Sequence, residues 1–235
     1  MTASLSSATL FYNFQYMNTL KSIENRRSIR AFKPDPIPDD IVKNILKAAS
    51  RSPSYTNTQP WEVAVVSGKI KDDLSRELFT AASLNTPISP DIQKQSSWPE
   101  ELDKRAKEHS ARRCEVLGIE RSDKKKKKDL RLLNFKFYGA PVVLFIFIDT
   151  CLGEWSILDT GMFAQNIMIS ALEFGLGTCP QASLTDYPHI IKKHLNIPET
   201  KILVLGISIG FPDNEALINT YRSDRVEIDK FVRWY

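Results

Sequence analysis

The apolar positions of this chain fall into helical stripes and short strand-like runs, and their order sketches the fold. Ile41, Val42, Ile45, Leu46, Ala48 and Ala49 form one helical stripe. Pro36-Ile37-Pro38-Asp39-Asp40 ahead of it supplies the prolines and acids that favour a helix N-terminus. The stripe stops at residues 50–53. An earlier helix is expected over about residues 16–25. Residues 61–66 read as a strand ended by Ser67-Gly68, and a helix is expected over about 69–82. Gly139-Ala140-Pro141 introduces seven consecutive apolar residues, 142–148, the pattern of a buried strand. A helix over about 157–174 is apolar on nearly every face (Ile157, Leu158, Met162, Phe163, Ile167, Met168, Ile169, Leu172), so burial on most sides is expected, with Gly175 as its cap. A short helix around 187–195 precedes a third strand at 202–209. The tail, 219–235, is charged and aromatic and reads as an arm directed at a partner surface. The pattern is α+β. Its three strands make a thin sheet, which a two-chain assembly with exchanged tails would complete.

The rhythm breaks between residues 83 and 129. This stretch holds three prolines (Pro87, Pro90, Pro99), long charged segments and little β signal. It reads as an insertion with polar helices near 100–117 and 129–138, and insertions of this kind often cover a site. Net charge is +4, and five positive charges sit in the single run Lys124 to Lys128. Without that run the chain is nearly neutral, which argues against a nucleic-acid partner. The run reads as a solvated helix end or lid loop; a localisation signal or a phosphate-steering patch is the other reading. No segment approaches the ~18 apolar residues of a membrane span. The first residues lack the basic start of a secretory signal. Cys114, Cys151 and Cys179 are odd in number and show no metal spacing, which fits a reducing, cytoplasmic compartment. Cys179 is either a buried structural thiol or a nucleophile.

Candidate chemistry begins with what is missing. There is no G-x-G-x-x-G after a strand, no P-loop and no G-x-S-x-G elbow. His109, His189 and His194 share no ligand spacing, so no metal site is expected. What is present is a cation cluster. Arg26-Arg27-Ser28-Ile29-Arg30 gathers three guanidinium groups around one hydroxyl at the end of a helix. Arginine's rigid fork suits phosphate, and like charges this close call for an anion. Arg222 and Arg225 form a second basic pair before the tail. Surface ion pairing is the alternative for any one of these arginines.

Further segments accompany that cluster in a fixed order: Pro53-Ser54 with Asn57-Thr58-Gln59-Pro60-Trp61, then Phe137-Tyr138-Gly139-Ala140-Pro141, then Asp159-Thr160-Gly161-Met162-Phe163-Ala164-Gln165-Asn166, and finally Gly175-Leu176-Gly177-Thr178-Cys179-Pro180-Gln181-Ala182. On these segments the chain resembles the FMN-dependent nitroreductase superfamily, most of all its bacterial nitrobenzoate-reductase type. The resemblance implies a nitroreductase-like α+β fold, with a central antiparallel or mixed sheet flanked by helices, and an intertwined homodimer with FMN at the interface. Residues 18–235 would be one domain, with a lid insertion at about 83–129 and a dimer-exchanging arm at about 219–235; residues 1–17 would be an N-terminal extension.

Carried over position by position, the resemblance places Arg26, Arg27 and Ser28 on the FMN phosphate and ribityl chain, joined by Arg225. Arg30 would sit by the pyrimidine edge, where a cation offsets the negative charge that arrives with a hydride. Pro53, Ser54 and Tyr55, with Asn57 and Gln59, would reach the flavin from the other subunit. Pro180, Gln181 and Ala182 would lie along the ring, with a backbone N–H facing N5. Tyr55 stands where many relatives have Gly; it would narrow the substrate pocket or pack at the dimer seam. Trp98 would wall that pocket or anchor its loop. No protein nucleophile or general base is implied. The implied activity is NAD(P)H-dependent reduction of a small nitroaromatic, quinone or similar acceptor by a ping-pong sequence. A reductive dehalogenase, a flavin-cleaving enzyme and a non-catalytic FMN-binding protein remain alternatives on the same scaffold.

Overall fold

The computed structural model describes residues 18–235. The expected extension 1–17, with the first positions of the helix expected from residue 16, lies outside the described residues. Seven α-helices are described: α1 (Thr19–Asn25), α2 (Asp39–Ala49), α3 (Gly68–Ser83), α4 (Glu100–Val116), α5 (Lys124–Leu132), α6 (Glu154–Glu173) and α7 (Pro188–Leu195). Four strands, β1 (Glu62–Ser67), β2 (Val142–Asp149), β3 (Gly177–Gln181) and β4 (Lys201–Gly210), pair antiparallel in the order β1-β2-β4-β3. A parallel bridge from Ser28 to Thr178 makes the sheet mixed at its β3 edge.

The seven-residue apolar run forms the centre of the molecule because both faces of β2 are covered. Val143, Phe145 and Phe147 pack with Leu74 and Leu78 of α3 and Ile191 of α7. Leu144 and Ile146 pack on the other side with Ile45 of α2 and Phe163 and Ile167 of α6. The fold is the α+β arrangement expected, a sheet between two helical layers.

Three expectations are corrected. The sheet has a fourth strand, β3. Its sequence, Gly-Thr-Cys-Pro-Gln, lacks a β-branched run and contains a proline, which only an edge position accommodates. The polar helix expected over 129–138 instead begins at Lys124, because the Asp123 carboxylate caps it by accepting from the Lys126 N–H at 2.8 Å. It ends at Leu132 and passes into a 3-10 segment whose Phe137, Tyr138 and Gly139 all have positive φ. Finally, α6 starts earlier than expected, at Glu154, and its first turns are uncovered in this chain: Trp155 and Leu158 are more than half exposed, while the other apolar residues named for it are buried or half-buried. Gly175 does end α6, with φ of 68°. Among the described residues no helix is long and apolar enough to cross a membrane, and no cluster of His, Cys, Asp and Glu could hold a metal ion.

Candidate functional site

The chain leaves α1 at Asn25 and runs extended along the free edge of β3. The Ile29 N–H donates to the Thr178 carbonyl at 2.9 Å. Gly177 permits this docking: a Cβ there would lie 2.5 Å from Ile29 Cγ1. The buried Asn219 then ties the C-terminal segment to the same strand. Its Oδ1 accepts from the Arg30 N–H at 2.7 Å, and its Nδ2 donates to the carbonyls of Ala31 and Asp213, each at 2.8 Å. Two of these hydrogen bonds, to Arg30 and Ala31, thus bring segments near the two ends of the described chain together.

Between those ends lies a cleft of about 580 Å³, with Arg26, Arg27, Ser28, Arg30, His109 and Arg225 on its walls. Burial and the nearby Arg225 hold the Arg26 guanidinium below its ordinary pKa. Arg27 Nε is buried with no hydrogen-bond partner among the described residues. An unsatisfied buried donor beside clustered cations matches the requirements of a phosphate. The wall opposite comes from α4, where the Tyr221 hydroxyl and His109 Nδ1 lie 2.9 Å apart and Arg112 pairs with Asp224. Burial, followed by Arg113, Arg30 and Arg225, lowers the His109 pKa, so its imidazole is held neutral.

Arg30 also lines a second cavity of about 370 Å³, between the β3 edge and helices α4 and α5. Pro180, Gln181 and Ala182 line it from the sheet side. The Gln181 side chain is committed to the fold: its Nε2 donates to the Asn134 carbonyl at 2.9 Å and its Oε1 accepts from Ser208 Oγ. Only its backbone is left to address a ligand. Burial pushes the Cys179 thiol up to about 11 and the Tyr138 phenol up to about 12, so both stay protonated at neutral pH. The structural-thiol reading of Cys179 therefore stands over the nucleophile.

The residues of the second motif are not brought to either cavity within this chain. Tyr55, Asn57 and Gln59 are exposed, and Thr56, Asn57 and Gln59 have φ of 48°, 58° and 49°. Helix α6 holds this loop. Asp159 Oδ2 accepts from the Tyr55 N–H at 3.0 Å, and Asn166 Nδ2 donates to Ser52 Oγ at 2.7 Å. Ser54 Oγ accepts from the Gln59 N–H at 2.9 Å. Pro53 lines a shallow apolar hollow with Leu158 and Met162 of α6, and Tyr55 stacks on Trp155 with ring centroids 6.1 Å apart. Trp98 is 52% exposed and lines neither cavity. Sequence reading missed the contributions of His109, Arg113 and Arg131, and noted Lys127 only as part of the run Lys124 to Lys128. The four-residue spacings of His109 and Arg113 and of Lys127 and Arg131, which put each pair on one helical face, were the available signals.

An α+β sheet edge thus carries two adjoining cavities, both lined by arginines and one of them built from both ends of the described chain, a lining suited to a phosphate-bearing ligand. Residues 23–211 match the Nitroreductase family, and the chain belongs to that family. It is 34% identical over 216 residues to a 4-nitrobenzoate reductase of Pseudomonas putida, covering 90% of this chain and 93% of that protein. It is also similar to the nitroreductase NfnB of Mycolicibacterium smegmatis, 31% identical over 212 residues and covering 90% of each chain. Among solved structures, the FMN-dependent nitroreductase NfnB from Mycobacterium smegmatis in complex with NADPH has a TM-score of 0.88 at 31% identity, covering 92% of this chain and 97% of that one.

Proposed function

We propose that this chain is an FMN-dependent oxidoreductase that uses NAD(P)H to reduce nitroaromatic, quinone or similar electron-poor acceptors by a ping-pong sequence, and that it is of the nitrobenzoate-reductase type. The observation that carries this reading is the sharing of one cleft by Arg26, Arg27, Ser28 and Arg225, with Arg30 leading into the second cavity. FMN, when bound, supplies the hydride chemistry. Arg26 and Arg225 hold its phosphate with charge-assisted hydrogen bonds, and the Arg27 Nε–H and the Ser28 hydroxyl supply further donors. Arg30, at the junction of the cavities, offers a cation to the pyrimidine edge. Pro180, Gln181 and Ala182 orient the ring through their backbone, and the neutral Tyr138 and Cys179 add no charge beneath it.

The chain acts as a homodimer in this reading. Its support is the exposed loop of Pro53, Ser54, Tyr55, Asn57 and Gln59, pinned from behind by α6 and directed away from its own chain's cavities. The partner's copy would close the flavin site, and the exposed Phe231 and Trp234 of the 219–235 arm would pack across the seam. Trp98 and Tyr55 are assigned to the acceptor pocket of the assembled site. The lid at about 83–129 is built of α4 and α5, and a cytoplasmic setting with its NAD(P)H supply fits the three free cysteines.

The test is a visible spectrum of the purified protein followed by anaerobic titration. Flavin absorbance that NADH or NADPH bleaches, and that a nitroaromatic or quinone restores, is the expected result. A colourless protein that takes up no FMN defeats the reading. Bound flavin that neither nucleotide bleaches leaves the non-catalytic alternative.

A further inference from the structure

The second cavity carries an unbalanced charge. Its walls hold four cations, Arg30, Arg113, Lys127 and Arg131, and no carboxylate among the described residues. Four of the other cations of the two lid helices have carboxylate partners, whereas Lys104, Lys124, Lys125 and Lys128 are exposed and have no ion pair among the described residues. Arg105 pairs with Glu101, Lys107 with Asp103, Arg112 with Asp224, and Lys126 with Asp123. A neighbouring void, which shares Ser110, Cys114 and Lys127 with this cavity, mixes its lysines with Glu100, Asp103 and Glu108. Arg113, Lys127 and Arg131 take part in no ion pair among the described residues; the Lys127 ammonium donates to the Arg121 carbonyl, whereas Arg113 Nε is buried without a hydrogen-bond partner. Burial keeps Tyr138 and Cys179 protonated, so neither supplies the missing negative charge. A half-buried, unpaired guanidinium is costly unless a ligand completes it.

The cations divide between two walls. Arg30 lies on the sheet side, where the proposed flavin edge sits. Arg113 comes from α4, and Lys127 and Arg131 come from α5. Arg113 and Arg131 line this cavity alone, and Lys127 stands between it and the neighbouring void, so the cations of α4 and α5 form the wall across from the ring segment, the side on which a second ligand would rest. We propose that Arg113, Lys127 and Arg131 form an anion-selecting wall that favours aromatic acceptors bearing a carboxylate or sulfonate over neutral acceptors of similar electron affinity. This rests on the reading of the site as a flavin site. It gives a physical basis for choosing between charged and uncharged nitroaromatics, both of which occur in the names of relatives: 4-nitrobenzoate reductases and a nitrobenzene nitroreductase. The 2′-phosphate of NADPH carries the same kind of charge, and the experiment separates the two sources.

The experiment measures binding and turnover in FMN-loaded protein. Calorimetry with benzoate and benzamide, neither of which is reduced, reads the anion preference without any catalysis. Benzoate is expected to bind about tenfold or more tightly than benzamide, as befits charge-assisted hydrogen bonds. In Arg113→Met, and separately in Arg131→Met as a more exposed control for folding, that ratio is expected to fall severalfold. The kcat/KM ratio for 4-nitrobenzoate over 4-nitrobenzamide should fall in parallel. Equal binding of benzoate and benzamide to the unaltered protein overturns the proposal. So does a variant that keeps its benzoate preference but loses discrimination between NADPH and NADH, since the wall then reads the donor's phosphate. Failure of the flavin reading looks different: no FMN uptake or no bleaching by NAD(P)H.

Discussion

The arginine cleft and the 53–59 loop are both polar, both quoted by the same family resemblance, and built in opposite ways. The cleft is assembled inside one chain. Asn219 ties the two ends of the described chain together, and the cations face inward at one another. The loop faces outward, with three non-glycine residues in the left-handed region, and is held only from behind by Asp159 and Asn166. Cations placed close together gain stability when an anion arrives. A loop with positive φ at Thr56, Asn57 and Gln59 costs stability that the α6 hydrogen bonds offset. In the reading proposed above, the first region binds the phosphate of a ligand, and the second is the part of the site that each chain would lend to a partner.

The sharpest way to break this contrast is to remove the cations. Arg26→Ala combined with Arg225→Ala should weaken FMN binding about 100-fold or more, because each charge-assisted hydrogen bond contributes about 1.5–3 kcal/mol. Fluorescence titration of the apoprotein checks it, and unaltered affinity would remove the cleft from the phosphate. Next comes the second chain. Deleting residues 229–235, which carry the exposed Phe231 and Trp234, should raise the dimer dissociation constant about tenfold or more. Sedimentation at low concentration reads this, and a truncated chain that stays fully dimeric would make the arm dispensable.

A smaller effect is expected from Asp159→Ala. The Tyr55 N–H loses its buried acceptor, which should destabilise the protein by about 1–2 kcal/mol in denaturant unfolding. The loss of FMN affinity should be smaller than that of the cleft variants, since the cleft is untouched. The smallest effect concerns His109. Its folded pKa lies below the ordinary value of about 6.5, so the unfolded chain takes up the proton first as pH falls. His109 thus favours the folded apoprotein fully above about pH 6.5, and that contribution is lost as pH falls toward the lowered folded pKa. Melting temperatures at pH 7.5 and 5.5 should therefore differ less in His109→Gln than in the parent. Phosphate in the cleft should shrink the parent's difference, because an anion beside Arg113, Arg30 and Arg225 offsets the cations that disfavour the imidazolium.

Much of the fold was legible. The α2 stripe and the apolar run of β2 needed only periodicity, since their burial follows from their own side chains. The cation cluster of residues 26–30 was legible too, because like charges so close in sequence imply an anion. Strand β3 was not legible, as its pairing depends on β4 and on an edge position that spares Pro180 a ladder bond. Nor was the start of α5, where one capping carboxylate outweighs the repulsion among five lysines. Trp155 and Leu158 show the same limit from the other side: apolar residues on a helix face specify that it can be covered, not by what.

Residue order alone determined most of the helices, the central strand and the clustering of cations over residues 26–30, because stripes, caps and clustered charges act over a few positions. Only the folded chain decided which arginines meet. Two hydrogen bonds of Asn219 span nearly the whole described chain, and the charge imbalance above β3 arises where α4, α5 and the β3 edge bring cations together without a carboxylate. Long-range juxtaposition depends on which surfaces pack together, and no local pattern encodes that.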